Sequence, residues 1–269
     1  SKDKENFKAE PALVLKVLRQ PFAQEPRAFY EFIHTALYSP VAYAPAAIAI
    51  AFFRWFGFSA LAMLYAARVA TLLSWTLLII AAIRTSPFFK WVIVLLALMP
   101  MSVFLAATPS ADVITNGLSI LIVAYIMKLA MHKNEAVLPH QWICLIIISV
   151  LLALTKPLYF LLAGAVLVIP VSRFGGWKRK LLISITVLMA TIIVALVWGM
   201  AVRGIVVTEE WAQPAAQIRF MFEQPFEFIF VLGATLAKWW SIYIKWFVGV
   251  LGWLDIWLPW WVYPTYILM

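Results

Sequence analysis

The sequence predicts an all-α fold: a polytopic bundle of transmembrane helices with interfacial or re-entrant helices on its outer face. Three observations carry this. Hydrophobic residues make up 65% of the 269, mean hydropathy is +0.95, and only 12% of residues are charged. A soluble domain of this length needs far more polar surface. Apolar runs of about 18 residues recur, the length a helix needs to cross roughly 30 Å of hydrocarbon. The runs are continuous rather than alternating, which selects helices over a barrel.

In chain order, residues 1–37 are mixed and charged, with Pro11, Pro21 and Pro26 breaking any long helix. We read them as an outer-face, juxtamembrane segment ahead of a membrane domain at 38–269, with one or two amphipathic turns at 13–18. The stretch YSPVAYAPAAIAIAFFRWFGF, from Tyr38, starts with two prolines and is barely long enough to span, so an interfacial or re-entrant helix is the alternative. Residues 60–83 form a clear span with Arg68 in its first third, where a buried guanidinium calls for an acid, a phosphate or a water-filled cavity.

Residues 88–107 are expected to span with a kink at Pro100, and 113–131 to span back. Between them lies a polar knot, Thr108-Pro109-Ser110-Ala111-Asp112. Pro109 ends the first helix, Ser110 can cap the second, and Asp112 falls in its first turn, where the macrodipole favours negative charge. An acid between two apolar runs is either part of a cap or a functional group. Thr155-Lys156-Pro157 is a tight basic break between spans 142–154 and 158–171. Residues 181–202 span again, and 203–225 form a polar loop with Glu209, Glu210, Arg219 and Glu223.

Between 226 and 250, Thr235, Lys238, Ser241 and Lys245 recur at three- and four-residue steps, one narrow polar stripe on a helix. It suits a lipid phosphate or a polar cavity, or two lysines snorkelling to water. Seven of the 14 tryptophans lie between Trp239 and Trp261, a headgroup-level signature, and Asp255 is a second exposed acid before Pro259.

The net charge of +9 sits in short connectors, so topogenic positive charge, not nucleic-acid binding, accounts for it. Arg84 and Lys90, Lys128 and Lys133, and Arg173 with Lys178, Arg179 and Lys180 mark three connectors on one side, expected to be cytoplasmic. Asp112, Lys156 and the 203–225 loop then share the opposite face. The single cysteine, Cys144, excludes an intrachain disulfide. With no apolar h-region beside the charged start, no signal peptide is expected; a phosphate-binding glycine loop, a Gly-x-Ser-x-Gly elbow and paired Cys or His spacing are absent from the sequence, so no metal and no cofactor is expected. His34, His132 and His140 read as loop residues. Ser1 opens the chain and Met269 falls in an apolar run, so we expect a piece of a longer protein.

Six segments taken in order, YSPVAYAPAAIAIAFFRWFGF, LAMLYAARVATLLSW, ALMPMSVFLAATPSADVITNGL, LTKPLYFLL, PAAQIRFMFEQP and FVGVLGWLDIWLP, resemble a bacterial family of polytopic membrane proteins of formally unknown function, grouped with the GT-C glycosyltransferase superfamily. The resemblance runs from about Tyr38 to Pro259. It implies a GT-C-like fold in the bacterial inner membrane and a lipid-linked sugar donor, a polyprenyl phosphate or pyrophosphate, used on the outer face in envelope polysaccharide assembly. It also implies a catalytic carboxylate in a first outer loop after a first transmembrane helix. Neither precedes Tyr38 here, so that carboxylate is expected outside this chain.

Transfer from a lipid phosphate needs a base for the acceptor and cations for the leaving phosphate. Within the chain Asp112 is the candidate catalytic carboxylate. Arg68, Lys156, Arg203, Arg219, Lys238 and Lys245 are the candidate phosphate cations. Tyr159 is placed to stack on a sugar or to anchor the interface, and Glu209 and Asp255 complete the substrate-binding candidates. Two other readings stand beside the enzyme: a transporter or flippase with a cavity lined by Arg68, Asp112 and Lys156, and an accessory subunit packed on a membrane-protein partner.

Overall fold

The computed structural model describes residues 10–22, 35, 37–131, 136–205 and 213–269. Among these, four helices are long and apolar enough to cross a membrane: Ala60–Thr85 (α3), Ala111–Met131 (α6), Trp177–Ala201 (α8) and Pro225–Gly249 (α10). The all-α, membrane-type class expected from composition is therefore what the chain forms. Shorter helices fill the intervals: Pro11–Arg19 (α1), Pro40–Trp55 (α2), Lys90–Ala97 (α4), Pro100–Ala106 (α5), Pro139–Thr155 (α7), Pro214–Glu223 (α9) and Val262–Leu268 (α11). Two-residue strands, Val250–Leu251 (β1) and Ile256–Trp257 (β2), pair antiparallel in a small hairpin.

α3 begins where Ser59 Oγ accepts from the Ala62 N–H at 3.2 Å, meeting one of the orphan donors of a helix start. Its buried residues Met63, Ala67, Thr71, Trp75, Ile79 and Ala82 fall at three- and four-residue steps and form one stripe. That stripe packs on α6, which is buried on several sides and is the central helix. α2 runs back along α3 as a hairpin partner, its start capped by Ser39. So the short Tyr38 stretch is a helix packed against a spanning neighbour.

α3 and α6 run parallel: Arg68, early in α3, reaches the joint just before α6, and Leu78, later in α3, packs on Gly117 of α6. Arg68 Nε donates to the Ala107 carbonyl at 2.8 Å, across 39 residues. Gly117, also 39 residues on from Leu78, packs so closely that a Cβ there would sit 2.7 Å from Leu78 Cδ1. A glycine at 117 permits the approach.

Two expected spans differ from the sequence reading. Residues 88–107 form two helices, α4 and α5, separated at Leu98 and Met99, instead of one kinked helix. Pro100 takes the first position of α5, where its missing N–H costs nothing, and it pushes Met99 out of helical geometry (φ −56°, ψ 140°). Residues 158–171 do not form an α-helical span either: Pro157–Val168 winds as a 3-10 helix, followed by a short one at Val171–Phe174. At about 2.0 Å per residue, its 12 residues cover about 24 Å, close to the about 26 Å of the 17-residue α7. The tighter winding lets a short segment return the full length of its neighbour. His140 lies in the first turn of α7 and is not a loop residue, because Pro139 starts that helix one residue earlier.

One end of the bundle is closed by Arg173. It is 6% exposed, donates through Nε to the Leu129 carbonyl at 2.8 Å, and accepts at its own carbonyl from Val137 N–H at 3.0 Å. Trp142 stacks on Phe174 beside it at 4.7 Å. The connectors after α6 and before α8 thus meet at one end, as the basic-residue bias requires; Lys133 lies outside the described residues. Between this end and Asp112 lies the main apolar core, including Trp75, Ile79, Leu118, Ile122, Leu145, Leu152 and Val166.

α10 stands apart from that core. Its Val248 and Gly249 are buried, and the rest of the helix is open along nearly its whole length. Val248 joins Met99 and Tyr263 in a second small cluster. Gly249 takes φ 159°, and a Cβ there would lie 3.0 Å from Pro100 Cβ, so glycine is what lets the end of α10 touch the start of α5.

Candidate functional site

Two chain breaks build the site. Thr108-Pro109-Ser110 joins α5 to α6 and sets Asp112 in the first turn of α6. Thr108 Oγ1 holds this joint by donating to the Leu105 carbonyl at 2.7 Å, with Ser110 Oγ at 3.5 Å. The second break is Lys156, which ends α7 in extended geometry (φ −145°, ψ 117°) before Pro157 starts the 3-10 helix. Proline after lysine enforces that exit.

The two breaks meet. Lys156 Nζ donates to Asp112 Oδ1 at 2.5 Å, with 26% and 39% of the lysine and aspartate side chains left open. The ammonium also lies over the Tyr38 ring, 5.3 Å from its centroid, at the entry to α2. On the far side, Trp198 Nε1 in α8 donates to the Leu37 carbonyl at 2.8 Å and fixes that entry. The cluster thus draws on the starts of α2 and α6, the end of α7 and, through Leu37, the last turns of α8.

Arg68 joins the neighbourhood from α3. The sequence calls for an acid, a phosphate or a cavity beside it; in the structure its Nε takes the Ala107 carbonyl, which the end of α5 leaves free for it. The guanidinium also lies 5.7 Å from the centre of the Tyr65 ring. Arg68 thereby ties α3 to the same joint that carries Asp112, and the rest of its fork remains exposed.

The other residues singled out from sequence are dispersed. Tyr159 is half-buried and packs against the main core, so anchoring describes it better than stacking on a ligand. Arg203 is exposed just past the end of α8, five residues beyond Trp198. Arg219 pairs with Glu223 on its own helix at 2.7 Å. Lys238 and Lys245 are exposed on α10, over the Trp239 and Trp257 rings at 5.3 and 5.8 Å. No described hydrogen bond or ion pair joins Arg219, Lys238 or Lys245 to Asp112. Asp255 closes the β1–β2 turn by accepting from the Trp253 N–H at 3.0 Å, a structural duty. Glu209 lies outside the described residues.

Sequence reasoning missed Tyr38 and Trp198. The Ser39-Pro40 cap that follows Tyr38 signals a helix start there, but nothing local says which distant lysine the ring will meet. The arrangement offers a carboxylate, an ammonium and a guanidinium in one partly open, tyrosine-walled region. Such a region can accept a proton from a hydroxyl and can hold an anion.

No curated protein and no solved structure matches this chain. A family model described as predicted membrane protein (DUF2142) matches residues 3–269. With nearly the whole sequence covered, the chain belongs to the DUF2142 family of predicted membrane proteins.

Proposed function

We propose that the chain is a glycosyltransferase-like membrane protein of GT-C type, acting on a polyprenyl-phosphate-linked sugar at the outer face of a bacterial inner membrane during envelope glycan assembly. The observation that supports this most is the Asp112–Lys156 pair, with Arg68 tied to the adjoining joint. In this reading Asp112, bonded to the Lys156 ammonium, takes the proton from an acceptor hydroxyl. The acceptor oxygen bonds to the sugar carbon, the bond from that carbon to the lipid phosphate breaks, and Lys156 and Arg68 stabilise the departing phosphate. If the family's loop carboxylate lies elsewhere in a longer protein, Asp112 and Lys156 serve as the donor phosphate's seat.

The test is transfer of radiolabelled sugar from an undecaprenyl-phosphate donor by the full-length protein in proteoliposomes. Asp112→Asn and Lys156→Gln should each reduce transfer at least tenfold, with the fold retained. Lys238→Gln with Lys245→Gln asks whether the α10 stripe also holds donor. Unchanged transfer in both Asp112→Asn and Lys156→Gln would sink the proposal.

A second reading, transport of a lipid-linked or anionic substrate, draws support from the two helix breaks that flank the pair, a construction suited to a substrate site within the bilayer. Movement of labelled donor across the bilayer without loss of its sugar would select it.

A further inference from the structure

Three cations gather at the end of the bundle remote from Asp112. Arg84 lies in the last turn of α3 and Lys128 in the last turn of α6. These helices run parallel, so both cations sit at one end. The bond from Arg68, early in α3, to Ala107 shows that the chain after Thr85 turns back along α3. α4 therefore starts at that same end, with Lys90 as its first residue. Phe89 makes the turn in left-handed geometry (φ 56°), which bulky residues rarely adopt. The described ion pairs are Asp112–Lys156 and Arg219–Glu223, so no described acid pairs with Arg84, Lys90 or Lys128.

A groove of about 580 Å³ runs from this end between α4, α6 and the 3-10 helix. Ser86, Phe89 and Met127 line it, each one or two residues from one of the cations, and Leu96, Ser119 and Leu162 line it further on. Its two hydroxyls are already used: Ser86 Oγ donates to the Phe88 carbonyl and Ser119 Oγ to the Thr115 carbonyl. The remaining lining is apolar, so the groove offers an occupant no hydrogen bond and suits a hydrocarbon chain. From Ser119 to Met127, α6 rises about 12 Å. One leaflet contributes roughly 15 Å to a hydrocarbon layer of about 30 Å, so the groove matches the chain of a single leaflet.

The occupant that fits both features has an apolar tail and an anionic head. A neutral lipid leaves the three cations without a counter-charge. A second copy related by a two-fold axis would bring the same cations against them. We infer that this groove binds an anionic phospholipid, with an acyl chain along α4 and α6 and the headgroup phosphate among Arg84, Lys90 and Lys128. The site is separate from the Asp112–Lys156 pair and does not depend on the transferase reading.

Native mass spectrometry of the full-length protein in detergent, with equal amounts of phosphatidylglycerol and phosphatidylcholine of identical chains, counts the lipid retained. The wild type should retain phosphatidylglycerol at least tenfold better, given three cations near one phosphate. Arg84→Gln with Lys90→Gln and Lys128→Gln should abolish that preference. Val123→Trp fills the groove from a lining position that is 43% exposed, and should remove most of the retained phosphatidylglycerol. Melting temperatures within a few degrees of the wild type in lipid-free detergent identify variants that have folded, and the wild-type comparison needs no variant. Equal retention of the two lipids would overturn the headgroup site, and full retention in a folded Val123→Trp would overturn the groove. Displacement by glycerol phosphate as effective as by the lipid would leave a phosphate patch with no chain site, against the proposal. A dimer that persists without lipid and excludes it would give the groove to a second copy and also overturn it.

Discussion

Asp112 Oδ1 and Lys156 Nζ meet at 2.5 Å although 44 residues separate them in the chain. The contact joins the first turn of α6 to the last residue before the 3-10 helix, so it links two breaks that would otherwise be independent. Removing one partner leaves a charge unpaired in a partly closed site, whereas removing both leaves none. Asp112→Asn and Lys156→Gln should each lower stability by about 1–2 kcal/mol, between the ranges for exposed and buried pairs. The double variant should lose less than the sum of the two. Thermal unfolding in detergent through the full double-mutant cycle measures this, and strict additivity would show the pair to be energetically idle.

Gly117 is a point of close approach between α3 and α6, with Leu78 directly against it. Gly117→Ala should displace Leu78 at a cost of about 1–2 kcal/mol, and Gly117→Leu should separate the helices at a cost of about 3 kcal/mol or more. Leu78→Ala in combination with Gly117→Ala should recover part of the loss. If Gly117→Ala unfolds at the wild-type temperature, the helices are not packed as described.

Arg173 tests the closed end. Its guanidinium is buried and bonds a backbone carbonyl 44 residues away. Arg173→Met should cost about 2–3 kcal/mol by stranding the Leu129 acceptor, while Arg173→Lys, which keeps a donor but not the fork, should recover only part of it. Equal stabilities of Arg173→Met and wild type, by thermal unfolding, would contradict the role given to this residue.

Orientation is tested by labelling Lys178→Cys and Arg203→Cys, at opposite ends of α8, in intact cells on the Cys144→Ser background. The basic-residue bias places Lys178 inside and Arg203 outside. An impermeant reagent should label only Arg203→Cys, and the reverse pattern would invert the topology.

Much of this fold could be read from residues alone, for reasons that differ by element. α3, α6 and α8 announce themselves because long apolar runs leave the backbone no alternative to internal hydrogen bonding. The pairing of Asp112 with Lys156 was only half legible. Proline placed both breaks and the positive-residue bias put them at one end, but their contact depends on how α6 and α7 pack. The Lys238–Lys245 stripe illustrates the opposite case. Periodicity identified the stripe correctly, yet a stripe does not reveal whether anything faces it, and in the described residues the lysines cover indole rings. The 3-10 winding of Pro157–Val168 was not readable, because apolar periods of 3.0 and 3.6 are hard to separate over 12 residues.

That winding makes the return segment a strut whose length depends on its pitch. Ala163, Val166 and Ile169 are all buried and fall every third residue, so its packing matches three residues per turn. The same 12 residues wound as an α-helix would cover about 18 Å instead of about 24 Å. Complete rewinding of the segment as an α-helix would shorten the strut by about 6 Å, and Gly164, where open space would admit a methyl group, is where a helix-favouring residue can enter without a clash. With the Arg173 end fixed to Leu129, the whole shortfall would fall on Lys156, drawing its ammonium out of reach of the carboxylate.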